Sequence, residues 1–140
     1  MRIGKFSLLR VVEIALEAVE DLTTSERKGG YLAIIRHSDE TVILHCSIGS
    51  ISEEKKEKYK RLALEKARRA RKTERSSWKT RDPEKEQYGG GIPAGEYDFG
   101  FSGFTETDDE KVVVRITRAV GLITEDDAKK IFAISGNTAT

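Results

Sequence analysis

The chain has 140 residues, with 25 Lys or Arg against 24 Asp or Glu, so its positive and negative charges nearly cancel. That balance argues against a protein whose whole surface binds nucleic acid or a membrane, and the length suits a single domain over residues 1–140. The lone cysteine, Cys46, excludes an intramolecular disulfide and a cysteine zinc cluster. Charged residues interrupt the apolar N-terminal segment, which argues against a signal peptide or a membrane span, so we expect a cytoplasmic protein.

The first part of the chain predicts a helix followed by a β-hairpin. Apolar residues recur every three or four positions across Ser7–Leu22, which is typical of an amphipathic helix. The polar segment Thr23–Gly30 then favours neither helix nor strand. Tyr31–Arg36 and Thr41–Cys46 are predicted strands joined by a turn, and the first of them is apolar on both faces, which indicates a central position in a sheet.

A long, basic helix is predicted next. Ser50 and Glu53 have the spacing of a capping box, and we expect the helix to run to about Arg75. Between Lys55 and Arg81 basic side chains far outnumber acidic ones, which fits either a solvated helix face or a patch for phosphate or an acidic partner. Glu57 with Arg61 and Glu65 with Arg69 are spaced as helical ion pairs, and the apolar stripe consists of Tyr59, Leu62, Ala63, Ala67 and Ala70.

The segment Ser76–Gln87 is predicted to be a loop from which Trp78 folds back onto the core. A glycine-rich hairpin follows, with strands at Gly90–Pro93 and Tyr97–Phe104. In the second strand Tyr97, Phe99 and Phe101 point one way, whereas Asp98, Gly100 and Ser102 point the other. Either the aromatic face is core and the small residues let a helix lie close, or the bare face is the floor of a ligand pocket.

The last part of the chain predicts two helices. Thr107 and Glu110 form a second capping box, and Val112–Ile123 keeps helical spacing, although its β-branched run would also suit a strand. We prefer the helix, because a cap and a period together outweigh propensity. Thr124 with Asp127 starts a short final helix, which Ser135–Asn137 ends. The predicted fold class is therefore α+β, with one antiparallel sheet and helices packed on it.

No catalytic arrangement is apparent. His45 and Cys46 are neighbours, but adjacent side chains of a strand point to opposite faces, so they cannot act as a pair, and Cys46 is expected to be a small buried hydrophobe. His37 is expected at the surface beside a turn. The acidic residues at 108–110 are explained by their place at the positive end of a helix. The glycines at 89–91 match no phosphate loop. Catalysis is unsupported, and whether the protein is an enzyme stays open.

Gly90–Pro93 resembles a Gly-Gly-Leu/Val-Pro segment, Gly100–Gly103 a Gly-Val-Ser-Gly strand end, and Thr107–Glu110 a Glu-Asp-Asp-Glu helix start. Leu64–Arg68 resembles an Ala-Lys-Ala-Arg segment in a middle helix. In their order and spacing these segments resemble the GlcG/HbpS-like family, which shares its domain with the C-terminal part of the PduO corrinoid proteins. The resemblance implies a profilin-like antiparallel sheet flanked by helices, homo-oligomers that are dimers or larger rings, and haem or a corrinoid as ligand in some members.

We accordingly expect a small-ligand binding module, and the alternative is a structural or partner-binding oligomer without a cofactor. A dimer is also expected because the aromatic stripe and the apolar helix faces make a large hydrophobic surface. If a tetrapyrrole binds, His45 is the expected iron ligand, since imidazole is the usual one and only two histidines are available; without a ligand it is an ordinary core or surface histidine. The other expected site residues are Gly90, Gly91, Pro93, Ser102 and Gly103.

Overall fold

A computed structural model describes residues 2–3, 6–73, 82, 84 and 89–136. Within them the helices are α1 (Leu8–Leu22), α2 (Glu53–Thr73), α3 (Glu106–Ala119) and α4 (Glu125–Ser135). The strands are β1 (Arg2–Ile3), β2 (Phe6–Ser7), β3 (Gly29–Arg36), β4 (Val42–Gly49), β5 (Gly91–Ala94) and β6 (Tyr97–Ser102). The predicted α+β class is confirmed. Trp78 and most of the predicted loop at 76–87 lie outside the described residues, as do the last two residues of the predicted long helix.

Strands β3 to β6 form one antiparallel sheet in the order β4-β3-β6-β5. β1 and β2, which have two residues each, pair with one another separately. β3 is therefore central, as its two apolar faces predict. The predicted break at 23–30 is wrong at its end, because Gly29 and Gly30 belong to β3 and pair with Gly49 and Ile48. A Cβ on Gly30 would come within 2.3 Å of the Phe101 ring, so this part of the strand requires glycine.

The aromatic side of the last hairpin is the centre of the main core. Tyr97, Phe99 and Phe101 are buried on the sheet face that α1 and α3 cover. The small side of β6 lies under α2, where a Cβ on Gly100 would come within 2.1 Å of the Ala63 carbonyl oxygen. The interpretation that small residues let a helix lie close is confirmed. The aromatic stripe is not an exposed surface, so this reason for expecting a dimer is wrong.

The helix starts show where local patterns mislead. α2 begins at Glu53, so Glu53 is the first helical residue and not the third, as the predicted capping box required. The Ser52 carbonyl oxygen accepts hydrogen bonds from the backbone N–H groups of Lys55 and Lys56. α3 is capped by Thr105, whose hydroxyl accepts from the N–H of Asp108 at 3.3 Å. The boxes predicted from Ser50 and Thr107 are both wrong by two residues. At α3, Thr105 and Thr107 each stand three residues before an acidic residue, so spacing alone does not decide which of them is the cap.

The two C-terminal helices otherwise agree with the prediction. Val112–Ile123 begins as helix, and α3 ends at Ala119, before Gly121 adopts a φ of 78°. The β-branched residues at 112–114 are all buried, because α3 lies between the sheet, α1 and α4. α4 has the predicted capping box, in which Thr124 and Asp127 exchange hydrogen bonds, and Gly136 ends it in the left-handed conformation.

Candidate functional site

His45 lies in β4 on the sheet face that α2 covers, opposite Ala33 of β3. Its ring is exposed and stacks on the ring of Tyr31, with centroids 5.9 Å apart and 22° between the planes. The His45 Nδ1 atom is 2.5 Å from the Tyr31 hydroxyl. The imidazole is therefore held at one nitrogen and on one ring face, while the rest of the ring is open to solvent.

Tyr31 provides a fixed support for this histidine. Only 5% of Tyr31 is exposed, and it packs with Ala33 and Ala63. Burial raises the pKa of its phenol, and the nearby Cys46 and Glu57 add to the effect. The hydroxyl consequently keeps its proton at neutral pH. It can either donate to His45 Nδ1 or accept from it, and the second arrangement leaves the lone pair of Nε2 available to a metal.

The helix beside this pair offers both apolar and cationic groups. Leu64 of α2 is half-buried against the cluster around Tyr31. Lys56 and Lys60 precede Leu64 by eight and four residues, so they share its side of the helix, and both are half-buried. Leu64 and His45 thus both contact the cluster around Tyr31, and two ammonium groups lie on the same side of α2 as Leu64.

A cavity of about 540 Å³ opens at the start of α2, a volume within the range of small-ligand sites. It is lined by both basic and acidic residues, including Arg27, Lys28 and Glu54. Tyr59 lines this cavity and also packs against the cluster that contains Tyr31. The cavity and the His45 pair are thus neighbours along the same side of α2.

A buried ion pair joins α2 to α3 beside β5 and β6, towards the edge of the sheet opposite His45. Lys66 is 1% exposed, and its ammonium donates to Asp109 Oδ2 and to the Phe101 carbonyl oxygen, both at 2.9 Å. The other oxygen of Asp109 accepts from the Phe104 N–H at 2.8 Å. Burial raises the pKa of Asp109, while Lys66 and the Phe104 N–H act in the opposite direction. The Lys66–Asp109 pair is enclosed, so it holds the fold and offers no access to a ligand.

This pair corrects two predictions. The basic block of α2 is not only a solvated face, since Lys66 and Arg69 are both buried and Arg69 pairs with Glu65 as predicted. The helix dipole alone does not explain the acids of α3 either. Asp109 holds Lys66, and Glu110 is buried and accepts from the Ser135 hydroxyl at 2.5 Å.

The predicted site residues lie at separate places on the sheet. One row across the sheet runs from His45 through Ala33 and Gly100 to Gly91, and α2 lies over its middle. Backbone atoms of Lys66 lie over Gly91, and Gly90 lies against Asp109. The remaining three lie elsewhere on the sheet: Ser102 pairs with Tyr31, Pro93 pairs with Asp98, and Gly103 lies against Gly29. The structure brings Gly90 and Gly91 together beside Lys66 and leaves His45 at the opposite edge.

One contact between a histidine and a carboxylate was not predicted from the sequence. The His37 Nδ1 atom lies 3.1 Å from Oδ2 of Asp98, a buried carboxylate of β6. His37 is thus not simply a surface histidine beside a turn. The two residues are far apart in the sequence, and only the pairing of Arg36 with Tyr97 brings them together. The register of β3 on β6 is the signal that would have found this contact.

Cys46 points to the opposite face from His45, as the strand alternation predicts, and packs half-buried against the main core. Burial raises the pKa of its thiol. We expect iodoacetamide to alkylate native Cys46 at pH 8 at least about tenfold more slowly than the urea-unfolded chain, because burial lowers both the thiolate fraction and access. Mass spectrometry of timed samples measures the two rates, and equal rates would contradict a packed thiol.

In the described part of the chain, no helix is long and apolar enough to cross a membrane. No group of three metal-ligating side chains occurs among the described residues either.

No protein-family model matches the sequence, and no curated protein matches it. Solved structures do match the fold, among them the following two. Klebsiella pneumoniae protein ORFY, of the DUF336 family, has a TM-score of 0.60 at 13% identity, over 89% of this chain and 96% of that one. The PduOC:haem complex has a TM-score of 0.65 at 14% identity, again over 89% and 96%. This chain has the GlcG/PduO C-terminal-like fold. The fold implied by the sequence resemblance is thereby confirmed.

Proposed function

We propose that this chain is a small-ligand binding module whose ligand is haem or a related tetrapyrrole such as a corrinoid, with His45 as the ligand to the metal. The observation that carries the proposal is the exposed His45 ring, held through Nδ1 by the hydroxyl of buried Tyr31. Histidines that bind metals usually donate the N–H of their other ring nitrogen to an oxygen acceptor, and the Tyr31 hydroxyl oxygen can accept from Nδ1 in this way. A structural neighbour solved as a haem complex supports the choice of ligand class.

The groups around His45 suit a flat ligand with acidic arms. Leu64 offers an apolar contact, and Lys56 and Lys60 offer ammonium groups that attract carboxylates such as those of haem. When bound, haem supplies an iron that binds small ligands and exchanges electrons. The residues of the chain bind it and orient it, and Tyr31 sets the direction of the His45 ring.

Two of the other predicted site residues, Gly90 and Gly91, act in this proposal from beneath α2. Gly91 admits the backbone at Lys66, where a Cβ would meet the Lys66 carbonyl oxygen at 2.4 Å, and Gly90 lies against the Lys66–Asp109 pair. Gly91 therefore fixes the height of α2 above the sheet at this point. That height in turn sets how far Lys60 and Leu64 stand from His45.

We expect wild-type protein to bind haem with a sharpened Soret band and His45→Ala to lose that band or at least about tenfold in affinity, because the metal loses its protein ligand. Titration of haem followed by absorbance measures both. His37→Ala is the matched control, since it removes the other histidine, and should behave as wild type. An unchanged titration of His45→Ala would remove His45 from the site, and loss of the band in His37→Ala alone would transfer the role to His37.

Tyr31→Phe separates positioning from packing. The phenylalanine keeps the ring beneath His45 and removes the hydroxyl that contacts Nδ1, so we expect haem affinity to fall about tenfold to hundredfold while the protein stays folded. Circular dichroism checks the fold. A variant that binds haem as tightly as wild type would show that the hydroxyl does not orient the imidazole.

The alternative function, a partner-binding oligomer without a cofactor, has its own supporting observation. Leu9 and Leu16 are large apolar side chains of α1 that the described residues leave exposed. This surface does not involve His45, and a protein could use both.

A further inference from the structure

The cavity at the start of α2 is lined by side chains of both charges. Its basic residues are Arg27, Lys28 and Lys55, and its acidic residues are Glu26 and Glu54. All of them are exposed. Within the described part of the chain, no ion pair joins any of these side chains to another residue. Opposite charges therefore share one cavity without pairing with each other.

The backbone around the cavity is held by hydrogen bonds. The Thr24 N–H donates to the Arg27 carbonyl oxygen at 2.9 Å, and the Thr24 hydroxyl accepts from the Arg27 N–H at 3.1 Å. The Ser50 N–H donates to the Lys28 carbonyl oxygen at 3.1 Å, which ties the segment before β3 to the segment after β4. A ligand that enters the cavity therefore meets a backbone that is already arranged, and only the ends of side chains have to adjust.

The cavity also has an apolar part. Ile51 and Tyr59 line it, are half-buried and pack against the cluster that contains Tyr31. Ser50 and Ser52 add hydroxyl groups to the lining. The cavity thus offers an aromatic ring, an aliphatic side chain, hydroxyl groups and charges of both signs to one ligand.

We propose that this cavity binds a small zwitterion, namely an α-amino acid or a short peptide with its free ammonium and carboxylate groups. The carboxylates of Glu26 and Glu54 attract the ammonium group of such a ligand, and the basic side chains attract its carboxylate. A zwitterion thereby bridges charges of the protein that do not pair directly. A phosphate ligand would be attracted by the basic side chains but repelled by both carboxylates.

The balance of charge in the lining also ranks the zwitterions. Three basic groups face two acidic ones, so the cavity has a net positive charge. A ligand with one carboxylate more than it has ammonium groups complements that charge best. We therefore expect L-glutamate to bind more tightly than L-glutamine, which has nearly the same shape and no net charge.

The cavity and the proposed haem site are separate. His45, Lys56 and Lys60 are not among the described residues that line the cavity. Binding of a zwitterion therefore goes beyond the proposed function and does not require it. Haem binding can fail while the cavity binds its ligand, and the reverse also holds.

Amide NMR spectra of isotope-labelled protein during a titration with L-glutamate test the proposal. We expect the amide signals of Gly29, Ser50 and Lys55 to shift, and binding to saturate at millimolar concentrations because the charged groups are exposed. N-acetyl-L-glutamate lacks the ammonium group and should bind at least about fivefold more weakly.

Two variants remove one charge of each sign. Arg27→Gln and Glu54→Gln should each weaken the binding of L-glutamate at least about fivefold, because each removes an attraction to one end of the zwitterion. Arg68→Gln and Glu13→Gln are the matched controls, since they remove exposed charges outside the cavity, and they should bind as wild type does. Circular dichroism shows that the variants are folded.

Three results would overturn the proposal. The first is the absence of any amide shift with L-glutamate at millimolar concentrations. The second is binding of N-acetyl-L-glutamate or adenosine monophosphate as tightly as L-glutamate, because the cavity would then be a site for anions in general. The third is an unchanged affinity for L-glutamate in either Arg27→Gln or Glu54→Gln.

Discussion

Lys66→Met is expected to lower the free energy of unfolding by about 3–5 kcal/mol, a large part of the stability of a small domain. The methionine fills most of the space but removes both donated hydrogen bonds, so Asp109 is left buried without its counter-charge. Urea denaturation followed by circular dichroism measures the loss. Lys58→Met, at an exposed lysine of the same helix, should change stability by less than about 0.5 kcal/mol.

The double variant Lys66→Met/Asp109→Asn tests the origin of that loss. Asparagine keeps an oxygen that can accept from the Phe104 N–H but has no charge to bury, so the double variant should lose less than the sum of the two single variants. A loss below about 1 kcal/mol for Lys66→Met alone would mean that the pair contributes little.

The same variant should respond to pH in a definite direction. Burial raises the pKa of Asp109 in the folded state above its unfolded value, so the folded carboxyl takes up a proton first as the pH falls. The protonated acid needs no counter-charge. The deficit of Lys66→Met should therefore be largest above the folded-state pKa of Asp109 and shrink as the pH falls through it. A deficit that grows on acidification would contradict this assignment.

Gly100→Ala is expected to destabilise the fold by at least about 3 kcal/mol, or to prevent folding. Its Cβ would lie 2.1 Å from the Ala63 carbonyl oxygen and 2.9 Å from the Ala67 nitrogen. Both are backbone atoms of α2, so no side-chain rotation can make room, and the helix would have to move off the sheet. Chemical denaturation of the purified variant measures the effect.

Gly121→Ala is the matched control for that variant. Gly121 has a φ of 78°, but nothing lies within 4 Å of the position of its Cβ. Alanine should cost only about 1–2 kcal/mol there, from backbone strain. If the two variants were equally destabilised, the close contact of α2 with β6 would not be the reason that Gly100 is a glycine.

Much of this fold can be predicted from local patterns, because helices and strands bury faces that repeat along the sequence. Three features can be recognised from a few neighbouring residues each: the apolar stripe of α1, the alternation of large and small side chains in β6, and the capping box at Thr124. The starts of α2 and α3 are harder to predict, because Ser50 and Thr107 stand within two residues of Ser52 and Thr105 and offer competing starts.

The candidate site was harder to predict, because its contacts join distant parts of the chain. Tyr31 and His45 belong to one hairpin, yet nothing in either strand indicates that the hydroxyl reaches the imidazole. Lys66 is one lysine among many in a basic helix, and only its place above Gly91 shows why it is buried. Patterns of charge identify such residues as polar, and the three-dimensional contacts decide which are exposed.

The central position of β3 has a consequence for the synthesis of the chain. On one side β3 pairs with β4, which follows it directly, but on the other side Tyr31 pairs with Ser102, which is made only after α2 and the segment beyond it. A two-stranded hairpin is marginally stable on its own. Until β6 leaves the ribosome, the apolar middle of β3 has an open edge, and this is the stage at which a nascent chain is most exposed to aggregation and most in need of a chaperone.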